Sequence, residues 1–323
     1  MQKIYPMKFK PVYKQKVWGG QKLKTVLNKN IQPNIPVGES WELVDRGNDL
    51  SIIQNGYFAD KTIRYVIEEL GVDLIGTKTK LNPFDRFPLL IKFLDSSDKL
   101  SVQVHPDDIL AKKFKEQDTG KTEMWYVVQA DPDTKIVYGC DSSLKKRDPL
   151  DGFSKNMEQL LHFVSIEEGD LIFIPAGQVH ALLGGCVILE IQQNSDVTYR
   201  LYDWGRMGLD GKPRNLHLKK AITSIKFRKP RNCYQKILTI KKDFSELIKC
   251  THFTANLINI KKPYKDICDK SGYKILLPIV GGGSILYKNT EISAEKGDVI
   301  LMPASLGEYT INPSAEMKLI SIE

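Results

Sequence analysis

Short apolar segments bounded by turn residues recur along the whole chain. They are rich in Val, Ile, Tyr and Phe, and the clearest are 124–128, 135–138, 170–174, 187–191, 274–280 and 298–302. Segments of this length, separated by Gly, Pro, Asn and Asp, are typical of strands in a β sandwich or barrel. The pattern therefore predicts a mainly β fold.

Three stretches show helical spacing instead. In 60–70 the apolar residues recur every three or four positions, and Asp60 is expected to cap the first turn. Residues 106–114 open with a proline and two aspartates, which favour a first helical turn. Residues 154–161 place their apolar side chains on one side. We therefore expect a few short helices among the strands.

One stretch of sequence occurs twice. Residues 169–177 read GDLIFIPAG and residues 297–305 read GDVILMPAS, so each copy has a Gly-Asp turn, an apolar strand and then Pro-Ala. Two such copies predict two related jelly-roll β units. His180 follows the first copy, whereas Glu308 stands at the same place after the second. We therefore expect the second unit to be a metal-free companion of the first.

A domain boundary is predicted in 226–232, because this segment is basic, contains proline and lacks periodicity. We expect a catalytic metal-binding domain with helical insertions over 1–228 and a smaller metal-free β domain over 229–323.

Candidate metal ligands come from three segments. If 100–108 (LSVQVHPDD) is a strand, alternation places Gln103 and His105 on one face with Ser101, and the intervening valines on the core face. A single histidine on a strand is more often structural, so this segment alone is weak evidence. The string Gly-x5-Pro-x-Gly-x2-His, which ends at His180, matches the second cupin motif, although Gly184 replaces its usual asparagine.

Glu123 begins an apolar strand, an unusual place for a carboxylate unless it has a partner. Two histidines, a carboxylate and an amide oxygen form an N/O set that suits zinc, and iron, manganese or nickel would accept the same ligands.

Composition narrows the class of protein. Hydrophobic content of 41% and charged content of 27% are typical of a soluble globular protein. The net charge of +8 is spread along the chain without a basic stripe, which disfavours nucleic-acid binding and is compatible with an anionic substrate. The five cysteines form no CxxC pair, so we expect free thiols in a reducing compartment. Residues 1–10 lack the apolar core of a signal peptide, and no apolar run of about 18 residues occurs. We therefore expect a cytoplasmic protein without a membrane partner.

Several further strings occur in a fixed order: KVWGG at 16–20, GESWE at 38–42, PLLIK at 88–92, QVHPDD at 103–108 and EIQQNSDVTYR at 190–200. Together they resemble the type I mannose-6-phosphate isomerases of the cupin superfamily, in their short bacterial form. The resemblance covers most of the chain. It implies a zinc-dependent aldose–ketose isomerase that interconverts mannose 6-phosphate and fructose 6-phosphate.

The resemblance also implies roles for individual residues. One zinc ion would be bound by four ligands: Gln103, His105, Glu123 and His180. Arg200, Lys121 and Asp196 would be catalytic, and Lys92 and Ser101 would bind substrate. Longer members of the family carry a histidine just before the lysine that corresponds to Lys121, and here Gly120 stands in its place. The long helical domain of the larger enzymes is also not expected.

The chemistry leaves alternatives open. Arg200 is suited to stabilising an enediolate, although an ion pair with Asp203 would also explain it. The base that takes the C2 proton of the sugar is Asp196, Lys121 or a metal-bound water. The phosphate partners are, in order of support, Lys92, Ser101, Lys121 and Arg206. His162, His217 and His252 fall outside these motifs and are predicted to be surface or structural residues.

Two other functions compete with the isomerase. A metal-binding cupin that holds a sugar without catalysis would explain the ligands, but not the neighbouring Arg200 and Lys121. An iron-dependent cupin dioxygenase would use more histidines at the metal than His105 and His180. We expect a small phosphosugar as the partner and a monomer or homodimer as the assembly.

Overall fold

The computed structural model describes residues 3–142, 157–227 and 234–323. Its strands, in chain order, are β1 Met7–Lys10, β2 Val12–Gly20, β3 Val37–Leu43, β4 Asp45–Arg46, β5 Asp49–Leu50, β6 Ile52–Ile53, β7 Leu89–Ser96, β8 Val102–Val104, β9 Glu123–Ala130, β10 Lys135–Cys140, β11 Leu161–Ser165, β12 Asp170–Ile174, β13 His180–Leu182, β14 Cys186–Gln193, β15 Tyr199–Tyr202, β16 Tyr234–Lys236, β17 Phe244–Lys249, β18 Thr254–Ile260, β19 Tyr264–Cys268, β20 Lys274–Val280, β21 Gly282–Tyr287, β22 Thr290–Glu295, β23 Ile300–Met302, β24 Gly307–Pro313 and β25 Met317–Ile322. The helices are α1 Lys22–Leu27, α2 Ile63–Leu70, α3 Val72–Ile75, α4 Asp108–Lys113 and α5 Leu218–Ser224, with 3₁₀ turns at Met157–Leu160 and Ile237–Thr239. The predicted mainly β fold with a few short helices is confirmed.

The chain forms two compact units, each discontinuous in sequence. The central unit comprises Tyr13–Ser40 and Ile91–Lys236, and the terminal unit comprises Met1–Val12, Trp41–Leu90 and Ile237–Glu323. Each unit contains a seven-stranded sheet and a second, smaller sheet.

In the central unit, the seven-stranded sheet has the order β16-β12-β9-β14-β7-β3-β2, and the five-stranded sheet has the order β11-β10-β13-β8-β15. Trp125 and Ile172 of the first sheet belong to the same buried cluster as Ile136 and Leu182 of the second. Apolar side chains from both sheets therefore form one interior, as in a jelly roll.

Strand β8 shows how alternation separates packing from chemistry. Val102 and Val104 pack in a second buried cluster with Ala221 of α5, as predicted for the core face. Gln103 points from the opposite face of the strand and lines a cavity. His105 follows the last residue of the strand and is buried.

In the terminal unit, the sheet orders are β17-β18-β25-β20-β23-β1-β6 and β19-β24-β21-β22, and β4 pairs with β5. Leu257, Ile275 and Leu319 are buried in its core. Strand β1 joins this unit by pairing Met7 with Leu301 and Phe9 with Ile53.

The compact units differ from a single division of the chain at residue 228, because long-range pairing of β1 brings an N-terminal segment together with the C-terminal strands. The predicted boundary between 228 and 229 lies outside the described residues. The two predicted domains, 1–228 and 229–323, therefore stay a prediction.

The helix predicted over 60–70 exists, but the predicted cap is wrong. Helix α2 begins at Ile63, and the Thr62 side chain accepts a hydrogen bond from the Tyr65 N–H at 3.2 Å. Asp60 lies before the helix with φ +66° and binds Lys10 at 2.6 Å, so its carboxylate is engaged elsewhere.

The other two predicted helices are shorter than expected. Helix α4 covers only part of 106–114, because Asp107 is its cap and accepts from the Leu110 N–H at 3.0 Å. In 154–161, Met157–Leu160 forms a single 3₁₀ turn and Leu161 already begins β11, while 154–156 lie outside the described residues. Among the described residues, no helix is long enough and apolar enough to span a membrane.

Candidate metal centre and active site

Three side chains from different strands converge inside the central unit. His105 follows β8, Glu123 begins β9 and His180 begins β13. Each offers a ligand atom, these atoms lie within 4.8 Å of one another, and all three residues are buried. Among the described residues, this is the one such group of His, Cys, Asp and Glu. The antiparallel pairing of β13 with β8 places Gln103 directly opposite His180.

The two histidines are oriented as metal ligands. The His105 Nδ1–H donates to the Val197 carbonyl at 2.8 Å, and the His180 Nδ1–H donates to the Gln178 carbonyl at 2.9 Å. Because a carbonyl only accepts, each Nε2 is left with its lone pair. Burial lowers the pKa of His105 well below its usual value and that of His180 to about 4, so both imidazoles are neutral at neutral pH.

Glu123 supplies the observation that argues for a cation. Its two carboxyl oxygens lie 3.6 Å from His105 Nε2 and 3.3 Å from His180 Nε2, so in the ionised form of Glu123 acceptors face acceptors. Oε1 is buried, and within the described part of the chain it has no hydrogen-bond partner. Burial, followed by the charge of Glu190, raises the pKa of Glu123. A divalent cation between these atoms would satisfy all three groups, so the residues fit a metal ion.

Gln103 lies at the edge of this group. Its amide is 3.3 Å from His180 Nε2, and turning the amide presents Oε1 to the same point. The structure thus brings together all four of the ligands implied by the family resemblance.

Lys121 and Lys92 link this group to further carboxylates. Lys121 Nζ lies 2.5 Å from Glu123 Oε2 and 3.1 Å from Glu190 Oε1. Lys92 Nζ lies 3.4 Å from Glu190 Oε1 and 3.7 Å from Glu39 Oε2. Burial alone would lower the pKa of Lys92, but Glu190 and Glu39 outweigh it and raise that pKa. Burial opposes ionisation of Glu190, yet Lys121 and Lys92 hold its pKa below the usual range.

A cavity of about 330 Å³ opens beside these residues. It is lined by Lys16, Trp18, Glu39, Lys92, Leu94, Leu100, Ser101, Gln103, Lys121, Glu190, Asp196, Thr198, Arg200, Arg214 and His217. Its charged lining is suited to a small polar ligand rather than an apolar one.

Arg200 enters the cavity from β15, in register with Gln103 of β8. Its Nε is buried, and within the described residues it has no hydrogen-bond partner. Burial, followed by the neighbouring Arg214, lowers the pKa of Arg200. The alternative of an ion pair with Asp203 receives no support, because Asp203 instead accepts from Arg206 and Arg214 at 3.1 and 2.5 Å.

Of the remaining predicted site residues, two line the cavity and one does not. Ser101 is buried and lines the cavity, and the exposed Asp196 lines it as well. Arg206, the weakest candidate for a phosphate contact, binds Asp203 and the Lys99 carbonyl and is not among the residues that line the cavity in the described part of the chain.

Four residues of the site were not predicted from the sequence: Glu39, Glu190, Arg214 and His217. Glu39 and Glu190 stand within strands β3 and β14 whose residues are all buried, and a carboxylate in such a strand was the signal already used for Glu123. The expectation that His217 is merely a surface or structural residue is incomplete, since it lines the cavity. Arg214 and His217 reach the site from a loop, and alternation gives no signal there.

Gly120 occupies a place where no side chain fits. A Cβ added to it would lie 2.5 Å from the Asp107 carbonyl carbon and 2.5 Å from the Asp108 nitrogen. Its N–H donates to Asp108 Oδ1 at 2.8 Å. The local backbone path therefore requires glycine instead of histidine here, because it holds Gly120 against the start of α4.

A buried His-Glu-His group inside a two-sheet β unit defines a metal-binding protein of the cupin type. Comparison with known proteins narrows this class. Residues 7–130 match the family model for phosphomannose isomerase type I, catalytic domain. The mannose-6-phosphate isomerase ManA of Bacillus subtilis is 34% identical over 321 residues, which cover 96% of this chain and 97% of the relative.

Solved structures agree with these matches. A crystal structure of the mannose 6-phosphate isomerase from Bacillus subtilis is similar at a TM-score of 0.84 and 30% identity, covering 98% of this chain and 99% of that one. A mannose 6-phosphate isomerase bound with zinc and yttrium shares the fold at a TM-score of 0.74 and 16% identity, covering 98% of each chain. The chain belongs to the type I mannose-6-phosphate isomerase family of enzymes.

Proposed function

We propose that this enzyme interconverts mannose 6-phosphate and fructose 6-phosphate, with one zinc ion held by Gln103, His105, Glu123 and His180. The carboxyl group of Glu123 carries the metal part of this proposal, because its unpartnered Oε1 faces the lone pair of His180 and its Oε2 faces that of His105. The relatives named above act on mannose 6-phosphate, and one structural neighbour binds zinc, which supports the choice of substrate and metal.

The reaction breaks the C2–H bond of the open-chain aldose and forms a C1–H bond, while a proton moves between the two oxygens. It needs no external oxidant. A divalent ion bound at this site supplies Lewis-acid polarisation of the sugar oxygens. The residues of the chain provide the base, the donors that stabilise an enediolate, and the binding of the rest of the sugar.

Glu190 is the base that the geometry favours. Its Oε1 lies 3.1 Å from Lys121 Nζ, which in turn lies 2.5 Å from Glu123 Oε2. The Glu190 carboxylate is therefore beside the metal group, by which we mean His105, Glu123 and His180. Lys121 and Lys92 keep it ionised. Asp196 lines the same cavity but is exposed, so it is the second choice.

The side chains that would donate hydrogen bonds to the enediolate are Lys121 and Arg200. Lys121 Nζ contacts both Glu123 and Glu190, and this supports a role for its ammonium in stabilising the charge that develops on O1 and O2. Arg200 offers a buried Nε–H with no partner among the described residues, so it can donate to an enediolate without first breaking a bond.

The expected setting is the cytoplasm, and the expected assembly is a monomer or homodimer, which light scattering of the purified protein would measure.

The function is tested with purified protein loaded with zinc, by following conversion of mannose 6-phosphate to fructose 6-phosphate. Turnover should disappear with a chelator and return with zinc. Tight zinc and sugar binding without turnover would favour a non-catalytic cupin, and oxygen consumption would favour a dioxygenase. Either result contradicts the isomerase.

The base is tested by Glu190→Gln with Asp196→Asn as the matched variant. We expect Glu190→Gln to lower kcat by about 10²–10⁴-fold and to slow exchange of the C2 proton with D₂O equally. A strong loss in Asp196→Asn with little change in Glu190→Gln would move the role to Asp196.

A further inference from the structure

The cavity has two chemically different sides. Near the metal group, the charges of Lys92 and Lys121 are offset by Glu39, Glu123 and Glu190, all within 3.7 Å of one lysine or the other. Both lysines on that side are thus already held in ion pairs, which a phosphate would have to break in order to bind them.

The other side lies further along the five-stranded sheet. His180 pairs with Gln103, and Gln103 pairs with Arg200, so these residues form a row across β13, β8 and β15. His217 continues the row, because its backbone N–H donates to the Arg200 carbonyl at 2.9 Å. Neighbouring strands lie about 4.8 Å apart. An extended hexose 6-phosphate with C1 at the metal group would therefore place its phosphorus about two strand spacings away, near His217, and the long Arg200 side chain that enters the cavity stays available to O1 and O2.

Arg214 is fixed at this end of the row by a buried carboxylate. Its Nε and Nη2 donate to the two oxygens of Asp203 at 2.7 and 2.5 Å, a bidentate pair. Asp203 is shared with Arg206, which also lies 3.6 Å from the exposed Asp98, so these carboxylates engage both arginines and Arg200 adds a further positive charge beside them. Arg214 is close enough to lower the pKa of Arg200, after burial.

His217 adds a neutral donor. Its Nδ1 accepts a hydrogen bond from the Arg200 backbone N–H at 3.2 Å, so the proton of the neutral ring must be on Nε2. Burial, followed by the charge of Arg200, lowers the pKa of His217, which favours this neutral form. The imidazole is therefore held in the tautomer that can donate to an oxygen in the cavity that it lines.

We propose that Arg214 and His217, beside Arg200, bind the terminal phosphate monoester of the substrate. This assignment rests on the proposed isomerase function. It replaces Lys92, Lys121 and Arg206 as phosphate partners: the first two are neutralised by carboxylates, and Arg206 is not among the described residues that line the cavity. Asp203 is then a positioning residue that holds Arg214.

The test compares Arg214→Met and His217→Leu with Arg206→Met in the zinc-loaded enzyme. Arg206 is the matched control, because it shares Asp203 and the same loop. We expect KM for mannose 6-phosphate to rise roughly 10- to 100-fold in Arg214→Met and less in His217→Leu, with a much smaller change in kcat. Competitive inhibition by inorganic phosphate should weaken in parallel, and Arg206→Met should keep the wild-type KM.

Wild-type KM and wild-type phosphate inhibition in both Arg214→Met and His217→Leu would overturn the assignment while the isomerase function stands. An equal KM increase in Arg206→Met would also overturn it, since the effect would then come from the loop. If the wild type fails to turn over mannose 6-phosphate, the function fails instead. Calorimetric titration of inorganic phosphate into the wild type and His217→Leu then decides the phosphate site by itself.

Discussion

The two copies of the Gly-Asp-strand-Pro-Ala sequence fold alike at their start. Gly169 and Gly297 have φ values of +88° and +93°, which favour glycine. The next residue closes the same turn in both: Asp170 accepts from the Glu167 N–H at 2.7 Å, and Asp298 accepts from the Glu295 N–H at 2.8 Å. The repeated motif is thus a structural turn, and it carries no chemistry of its own.

The units differ after the turn. In the central unit the equivalent position holds the buried His180, a proposed metal ligand, and in the terminal unit it holds the exposed Glu308. The terminal unit instead contains a closed network, in which Asp266 accepts from Lys274 at 2.9 Å and from the Tyr309 hydroxyl at 2.5 Å. The central unit leaves Glu123 Oε1 and Arg200 Nε without partners among the described residues. Glu123 belongs to the His-Glu-His group and Arg200 lines the cavity, so both atoms are available to a ligand, whereas Asp266 is already paired.

The largest difference in effect is expected when each of the two equivalent residues, His180 and Glu308, is replaced by alanine. His180→Ala should lose bound zinc, measured by metal analysis, and lower kcat/KM by on the order of 10³-fold or more. Glu308→Ala should change neither. Zinc retained by His180→Ala, or lost by Glu308→Ala, would break the contrast between the units.

The next effect concerns Arg200. Arg200→Ala should retain zinc and lower kcat by about 10²–10³-fold, because it removes a donor to the developing charge. Metal content and steady-state rates measured on the same sample separate it from His180→Ala. A fully active Arg200→Ala would show that the unpartnered Nε has no catalytic role.

A third variant acts on stability alone. Asp266→Ala removes the acceptor for Lys274 and Tyr309, so the free energy of unfolding should fall by about 1–3 kcal/mol. Chemical denaturation measures this loss, and kcat/KM below the unfolding transition should match the wild type. A specific loss of activity would mean that the closed network also serves catalysis.

The smallest effect is expected at a paired charge in the central unit. Burial would raise the pKa of Glu116, but hydrogen bonds from Lys220 and Tyr199 outweigh it and lower that pKa below 4.5. The pair therefore stabilises the fold above pH 4.5, and this contribution is lost as the pH falls through the folded-state pKa. Lys220→Met should cost up to about 1 kcal/mol at pH 7 and nothing below that pKa, as measured by denaturation at several pH values. A cost independent of pH would contradict an electrostatic origin.

The sequence predicted what local periodicity and spacing encode. Alternation in β8 separates Gln103 from the valines that pack against α5, and the spacing from Gly169 to His180 defines one strand and its turn. The pairing of β1 with β23 could not be predicted, because it joins segments almost 300 residues apart through backbone hydrogen bonds that any sequence can make.

Helix ends and loop residues were also out of reach. Thr62 and Asp60 are both residue types that cap helices well. Which of them caps α2 depends on Lys10, a residue distant in sequence that binds Asp60. Arg214 is directed by Asp203, a contact within a loop that has no periodic signal.

The close approach of Gly120 to the start of α4 constrains how this enzyme can be altered. Because a β-carbon at this position would lie only 2.5 Å from atoms of Asp107 and Asp108, even alanine would have to displace main chain, not a flexible side chain. A histidine could therefore not be installed by one codon change; it would require a simultaneous redesign of 106–108. Directed evolution that proceeds by single substitutions should thus find this route to the longer enzymes closed, whatever benefit the imidazole would bring.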